Sequence, residues 1–376
     1  MNKTSKIIIG IIVLAVVVWG GVKLFRTKEE KTKETIKIGV ILPLTGDLSS
    51  FGEGSKIATE LAVKEVNDSG GVNGKKIEVI IEDSKCSSVP AINAVQKLIN
   101  LDRVSAVIGE ICSSATLAVA PIIEQNKIPL ISPCSSAPDI TNSGDYIFRI
   151  YPSDFFEGKI VAEYVKNKLG YSKVAMLYIN NDWGNGLEKV FKETFMKLGG
   201  NIVVEESYQQ GSKDLRAHLA KIKSANPEFI YFIGYIDEAT IGLKQTKELK
   251  INIPVFGNSS WSESKLISEA KSASEGAYWI ELKSLIPSAF LEKEMELKRN
   301  NKEIPVCSTQ YYDAVKVLTK SLMNISDISG ENIKNKLYQT RLSGLSGEIS
   351  FDKNGDLMSA KYVIKVIKDG KAVEVN

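Results

Sequence analysis

The sequence predicts an α/β protein of two Rossmann-like lobes, each built on a parallel sheet. The chain has 376 residues, more than one hydrophobic core usually supports, so two domains are expected. Between residues 36 and 281 a short apolar stretch followed by an amphipathic stretch recurs, in two similar blocks. Alternating strands and helices form parallel sheets that are covered by helices on both faces. Two such lobes form a cleft, and the loops after the strands supply its ligand groups.

Each predicted strand is a short apolar run, as expected for a strand that is buried on both faces. The first block opens with IKIGVIL at residues 36–42. The other strands predicted in this block are residues 77–82, 104–109 and 129–132. The strands predicted in the second block are residues 174–179, 202–207, 229–233 and 254–257. The amphipathic stretches between these runs predict the helices that cover each sheet.

Charge and composition exclude several classes of function. Residues 1–35 hold seven basic and three acidic side chains, so the rest of the chain, with 41 basic and 42 acidic ones, has a net charge of −1. A near-neutral body argues against nucleic-acid binding. His218 is the only histidine, which argues against histidine-based triads and metal sites. We therefore expect no metal and no cofactor.

The amino-terminal segment predicts a membrane anchor. Two lysines precede an apolar run at residues 7–22, which is long for a signal peptide and near the lower limit for spanning a bilayer. No small-residue cleavage site follows, and no cysteine precedes Cys86 to take a lipid. We predict a single-pass signal anchor at residues 1–25, a charged linker at 26–35 and an extracytoplasmic domain at the cell membrane. The alternative is a secreted protein whose leader is cleaved.

Four cysteines follow predicted strands or precede a late helix. Cys86 and Cys112 follow the second and third strands, whose carboxyl ends lie close together in a doubly wound sheet. A disulfide between them is geometrically plausible and fits export to an oxidising compartment. The alternative is two buried thiols. Whether Cys134 and Cys307 pair with each other is left open by the sequence.

Glycine- and serine-rich loops in the first block are candidates for binding an anionic group. These loops are residues 43–55, 109–116 and 132–139. Two of them lead into helices, whose first N–H groups are unpaired and carry partial positive charge. The hydroxyls that could add donors are those of Ser113, Ser114, Ser135 and Ser136. The alternative is that these serines only cap helices.

Aromatic residues occupy the matching loops of the second block. Trp183 and Tyr235 each follow a predicted strand, and Phe51 faces them from the first loop of the other block. Aromatics in loops after strands indicate ligand contact more than aromatics on helices do. We expect these three rings to hold the apolar side chain of a ligand, while the carboxylate of the same ligand meets the serine loops. Local packing is the alternative for each ring.

The loops resemble the family of type I periplasmic solute-binding proteins that bind leucine, isoleucine and valine for ABC importers. The most specific segment is residues 107–141, VIGEICSSATLAVAPIIEQNKIPLISPCSSAPDIT. Residues 67–83 and 351–357 are also similar, and Cys86 stands at the position of the family's disulfide partner. The resemblance covers nearly everything from Thr35 to the end.

The resemblance implies a set of ligand contacts. Ser113, the backbone at Cys134, and the hydroxyl and N–H of Ser136 would receive the ligand carboxylate, with Ser135 beside them. Tyr235 matches a tyrosine that helps to receive the ammonium group in that family. The family's ammonium-binding acid is not matched, because Ser259 stands there, and Ser259 is the ligand contact expected at that position.

Two acids could substitute for the missing one, Asp237 and Glu263. Otherwise the ligand is not a standard α-amino acid, since a buried ammonium without a charge partner is costly. Trp183 stands where the family often carries a tyrosine over the ligand. Phe51 stands where the family carries another aromatic residue.

The resemblance also implies three crossings between the lobes, expected at residues 149–152, 277–282 and 343–347. Lobe 1 would then comprise residues 36–150 and 281–345, and lobe 2 residues 151–280 and 346–376. Several crossings permit hinge closure without unfolding either lobe.

The expected function is capture of a small carboxylate-bearing solute, an amino acid or relative with the branched-chain type favoured, and its delivery to an ABC transporter permease. A ligand-sensing ectodomain that acts through partner proteins is the closest alternative. A nucleotide-dependent enzyme is disfavoured, because the glycine fingerprint, the Walker sequence and the nucleophile elbow are missing.

Overall fold

A computed structural model of the chain describes residues 35–262, 264–283 and 307–375. The predicted anchor (1–25) and all of the predicted linker except Thr35 lie outside the described residues. Within those described ranges, no helix is both long and apolar enough to cross a bilayer. Residues from Ile36 onward form one compact unit, which contains both sheets.

The first sheet has five strands in the order β2-β1-β3-β4-β5, and every neighbouring pair is parallel. The strands are β1 (Ile36–Leu42), β2 (Ile77–Asp83), β3 (Ala106–Ile108), β4 (Leu130–Ser132) and β5 (Ile147–Arg149). Six of the seven residues of β1 are buried, because helices cover both faces of the sheet. The four strands predicted for this block are confirmed, with β3 shorter than expected, and β5 extends the sheet.

The second sheet has seven strands in the order β14-β13-β10-β9-β8-β6-β7. Its parallel part is β6 (Lys173–Ile179), β7 (Asn201–Tyr208), β8 (Phe229–Ile233), β9 (Val255–Gly257) and β10 (Tyr278–Leu282). An antiparallel hairpin of β13 (Tyr362–Lys368) and β14 (Lys371–Val375) extends the edge beside β10. A separate small ladder joins β11 (Leu342–Ser343) to β12 (Glu348–Ile349). The predicted α/β class with two mainly parallel sheets is confirmed.

One predicted boundary between the lobes is wrong. Strand β10 pairs with β9 and β13 along its length, so residues 281 and 282 belong to the second sheet and not to lobe 1. The expected crossing at 277–282 therefore falls within strand β10. The expected crossing at 343–347 falls in the β11–β12 hairpin. The other boundaries remain a prediction.

Helices cover both sheets. Their bounds are α1 (Ser49–Asp68), α2 (Ser88–Lys97), α3 (Ser113–Asn126), α4 (Asp154–Glu163), α5 (Asp182–Lys197), α6 (Arg216–Ser224), α7 (Ile236–Glu248), α8 (Ser264–Ala270), α9 (Ser308–Leu322) and α10 (Gly330–Gln339). Helix α9 packs along α1, which brings the late part of the chain back to the first sheet. Helix α4 packs along α5 on the second sheet. The chain therefore alternates between the sheets, as two hinged lobes require.

Two disulfides fasten the first lobe. Cys86 and Cys112 are joined with their Cα atoms 5.4 Å apart, as expected from their places after β2 and β3. Cys134 and Cys307 are also joined, with a Cα separation of 5.6 Å. The sequence alone left the pairing of Cys134 with Cys307 open, and the structure contains this disulfide. It ties the loop after β4 to the start of α9, across 173 positions of sequence.

Candidate functional site

A cavity lies where the strand ends of the two sheets face each other. Its space is about 500 Å³, including the part that opens to solvent. The lining residues are Leu48, Phe51, Ile111, Ser113, Cys134, Ser136, Tyr151, Trp183, Tyr235, Ser259 and Ser260. The structure thus brings together seven of the eight ligand-contact residues that the sequence predicted. Both lobes contribute, because loops at the carboxyl ends of parallel strands point into the crevice.

Ser135 is the predicted residue that does not line the cavity. Its side chain is fully buried, and its hydroxyl donates to the carbonyl of Glu110 at 3.1 Å. The same hydroxyl lies 2.7 Å from the Thr116 hydroxyl. The backbone N–H of Ser135 donates to the Ser132 hydroxyl at 3.1 Å. Ser135 therefore holds the loop after β4 against the loop after β3. A sequence pattern cannot tell which of two neighbouring serines turns inward.

Ser113 and Ser136 bond to each other's loops. The Ser113 hydroxyl oxygen accepts the N–H groups of Ser136 and Ala137, at 3.2 and 3.1 Å. The Ser136 hydroxyl donates to the Asp154 carboxylate at 2.9 Å. The Ser113 proton remains available to a ligand, while the Ser136 hydroxyl already has an acceptor. The resemblance assigned both of these hydroxyls to the ligand carboxylate.

The start of α3 adds donors beside Ser113. Helix α3 begins at Ser113, and the side chain of its N-cap residue, Cys112, makes no capping hydrogen bond. An uncapped helix start presents backbone N–H groups and the positive end of the helix dipole. This part of the wall suits a negatively charged group.

Aromatic rings form another part of the cavity wall. Trp183 and Tyr235 stack with ring centroids 4.7 Å apart and planes 17° apart. Both follow strands of the second sheet, and Phe51 reaches the cavity from the start of α1. Trp183 and Phe51 are buried, with exposed fractions of 7% and 5%. The wall can enclose an apolar group.

Two contacts bridge the lobes beside the cleft. The Asp182 N–H, at the start of α5, donates to the Ser114 hydroxyl on α3 at 3.3 Å. The Gln210 side chain, after β7, lies 3.9 Å from the sulfur of Cys86. These two contacts join elements of the two sheets.

Two buried acids behind the cavity were missed in the sequence. Asp154 and Glu157 lie in the first turn of α4 and are 1% and 0% exposed. One Glu157 oxygen accepts the Ser259 N–H at 3.0 Å. Burial raises the pKa of Glu157 to about 7, and burial together with the nearby Glu157 charge raises the pKa of Asp154. Acids in the first turn of a helix are usually exposed partners of the helix dipole, so the sequence carried no signal of this burial.

Of the two acids proposed as substitutes from the sequence, Asp237 does not line this cavity. The Asp237 carboxylate forms an ion pair with Lys265, with Oδ1 2.6 Å from Nζ. Asp237 lines a neighbouring cavity. Glu263 lies outside the described residues. Among the residues that the structure describes, no group of three or more His, Cys, Asp or Glu side chains could hold a metal ion.

Comparisons with known proteins agree with this geometry. A sequence model described as a periplasmic binding protein matches residues 35–371. A leucine-, isoleucine-, valine-, threonine- and alanine-binding protein of Pseudomonas aeruginosa is 28% identical, covering 91% of this chain and 92% of its own.

Solved structures are similar over the same length. The substrate-binding protein of a branched-chain amino acid transporter from Streptococcus pneumoniae, in complex with isoleucine, has a TM-score of 0.80 at 28% identity, covering 91% of this chain and all of its own. A solute-binding protein of an ABC transporter from Rhodopseudomonas palustris, in complex with 3,4-dihydroxybenzoic acid, has a TM-score of 0.79 at 25% identity, covering 91% and 96%. These relatives are binding proteins and not enzymes, as the sequence predicted for this chain.

Proposed function

Because the chain belongs to the periplasmic binding protein family, we propose that it captures a small carboxylate-bearing solute between its lobes and delivers it to the permease of an ABC transporter. An amino acid, with the branched-chain type favoured, is the proposed solute class. The observation that carries this proposal is the cavity itself, whose lining combines anion donors with stacked aromatic rings.

The donor wall is the proposed seat of the solute carboxylate. The Ser113 hydroxyl and the uncapped start of α3 converge there. Hydrogen bonds to an ionised group are stronger than bonds between neutral groups, and they gain further from exclusion of water. The carboxylate would thus be held by hydroxyl and backbone dipoles alone.

The aromatic wall is the proposed seat of the apolar part. Phe51, Trp183 and Tyr235 surround it, with Leu48 and Ile111 alongside. Burial of a branched aliphatic group against these side chains would contribute about 25 cal/mol for each Å² removed from water. Closure of the lobes completes that burial.

A membrane tether is part of the proposal. The apolar run within residues 1–25 would anchor the protein at the outer face of the cell membrane, and residues 26–35 would link it to the binding unit. A tethered binding protein stays near its permease, which raises the local concentration of the loaded form. If the run is cleaved, the protein is secreted.

Ligand capture is tested by thermal and chemical unfolding of the purified full-length protein. A solute that binds only the folded state should stabilise it by about 2.7 kcal/mol at a hundredfold excess over its dissociation constant. The screen uses amino acids, their amides, short aliphatic acids and benzoates. Absence of any shift across that set would contradict the proposal. Mass spectrometry of solute released on denaturation identifies the natural ligand.

Ser113→Ala should weaken binding of the captured solute by about 1 to 3 kcal/mol, through loss of a charge-assisted hydrogen bond. The variant also removes the acceptor of the Ser136 and Ala137 N–H groups, so its stability is measured in parallel. Ser224→Ala, an exposed serine on α6, is the control and should bind like the wild type. Calorimetric affinities that agree between wild type and Ser113→Ala would remove Ser113 from the site.

A further inference from the structure

We propose that the buried carboxyl of Glu157 selects solutes that carry a positively charged nitrogen in addition to their carboxylate. The inference rests on the proposed function and narrows its substrate class to zwitterions. Selection by this carboxyl would favour amino acids over acids such as benzoates, which have no positively charged nitrogen.

Glu157 stands directly behind the cavity wall. Its first oxygen accepts the N–H of Ser259 at 3.0 Å, and Ser259 lines the cavity. The hydroxyl of Tyr151, another lining residue, lies 3.4 Å from the Ser259 hydroxyl oxygen. The Glu157 charge is thus one residue away from the end of the cavity where Tyr151 and Ser259 meet.

The second Glu157 oxygen is buried and has no hydrogen-bond partner among the described residues. A buried carboxylate with an unsatisfied oxygen is costly unless a donor reaches it. The phenols of Tyr231 and Tyr362 interact with its charge, yet burial raises their pKa values and keeps them neutral. A neutral phenol offers Glu157 no positive charge.

The basic side chain Arg149, near these acids, already has an ion-pair partner. The Arg149 guanidinium holds both oxygens of Asp356 and donates to the carbonyls of Ser136 and Ala137. Asp154 and Glu157 thus form a pair of buried acids, and Arg149, a cation that acts on Asp154, is paired with a third acid, Asp356. A cationic group in the cavity would restore the balance, whereas a purely anionic solute would increase the repulsion.

Titration of this pair gives the inference a pH signature. Burial raises the pKa of Glu157 to about 7, so the carboxyl is protonated below neutral pH and ionised above it. The groups that act on it or on its neighbours are Asp154 on the same helix, Tyr151, Tyr231 on β8, Glu281 on β10, Tyr362 on β13 and Arg149. An ammonium prefers the ionised form, so affinity for a zwitterion should fall by about tenfold from pH 8 to pH 6.

The experiment compares leucine with 4-methylpentanoate, the same skeleton without the amino group, and with benzoate. Calorimetry is run on the wild type and on Glu157→Gln, whose amide oxygen can still accept the Ser259 N–H. Glu157→Gln should lower leucine affinity more than tenfold, remove its dependence on pH, and leave the affinity for 4-methylpentanoate unchanged or higher. Glu157→Asp keeps the charge and should recover part of the leucine affinity.

Glu188→Gln is the matched control. Glu188 lies on α5 beside Lys192, is largely buried and also has its pKa raised to about 7 by burial, yet it does not line the cavity. It should change neither leucine affinity nor the pH profile.

The outcomes separate the two proposals. Wild-type protein that binds 4-methylpentanoate or benzoate as tightly as leucine would overturn the inference and leave the proposed capture of acids intact. Equal losses for all solutes in Glu157→Gln would show that Glu157 only supports the loop, and would also overturn it. Wild-type protein that binds none of these acids would contradict both.

Discussion

Replacing Arg149 with methionine should lower the free energy of unfolding by about 3 to 5 kcal/mol, the usual loss when one partner of a buried ion pair is removed. The Arg149 side chain is fully buried, and its guanidinium grips the Asp356 carboxylate with Nε 2.6 Å from one oxygen and Nη2 2.9 Å from the other. Methionine fills a similar volume but leaves Asp356 without a counter-charge. Denaturant unfolding of both proteins measures the difference.

The same variant should also weaken solute binding. Arg149 donates to the carbonyls of Ser136 and Ala137, at 3.1 and 2.8 Å, and so holds the loop after β4 beside the cavity. Arg216→Met is the control, because Arg216 pairs with Glu248 and Asp214 on the exposed surface, where water screens the charges. A loss in Arg216→Met as large as that in Arg149→Met would show that the buried pair has no special weight.

Removing the bridge between Cys134 and Cys307 should cost about 5 kcal/mol of unfolding free energy in the chain-entropy model. The bridge encloses 173 positions, including all five parallel strands of the second sheet, so it restricts the unfolded chain strongly. The variant carries serine at both positions. Urea unfolding without reductant gives the comparison with the wild type.

The other bridge is the internal reference for this prediction. Cys86 and Cys112 enclose 26 positions, and the same model gives about 3 to 4 kcal/mol for that loop. A pair of serines at these positions should therefore destabilise less. The opposite order of the two losses would mean that native-state contacts, and not chain entropy, dominate at these bridges.

The strands could be located from local sequence because parallel strands are buried on both faces. IKIGVIL at β1 and the run at β8 (Phe229–Ile233) were predicted with the bounds that the structure shows. Strand β3 was predicted too long, by Val104 and Ser105 at its start and Gly109 at its end, because apolar Val104 precedes the first paired residue, Ala106. The sequence analysis did not place the end of β10 in the second sheet. Its antiparallel partner β13 lies about 80 positions later in the chain, so local sequence does not reveal the pairing.

Seven of the predicted site residues line one cavity because each follows a strand or begins a helix at the same edge of its sheet. Position after a strand is a local property and is visible in the sequence. The direction in which a side chain turns is not, as Ser135 shows by bonding into the loop core.

Local apolar periodicity was thus enough to establish the α/β class, the two blocks, most strand positions and the loops that meet at the cleft. The pairing of Cys134 with Cys307, the Arg149–Asp356 contact across 207 positions and the Glu157–Ser259 contact across 102 positions emerged only from the folded chain. The reason is physical: strand formation depends on neighbouring residues, whereas burial of a charge depends on which distant segments the packing of two sheets brings beside it.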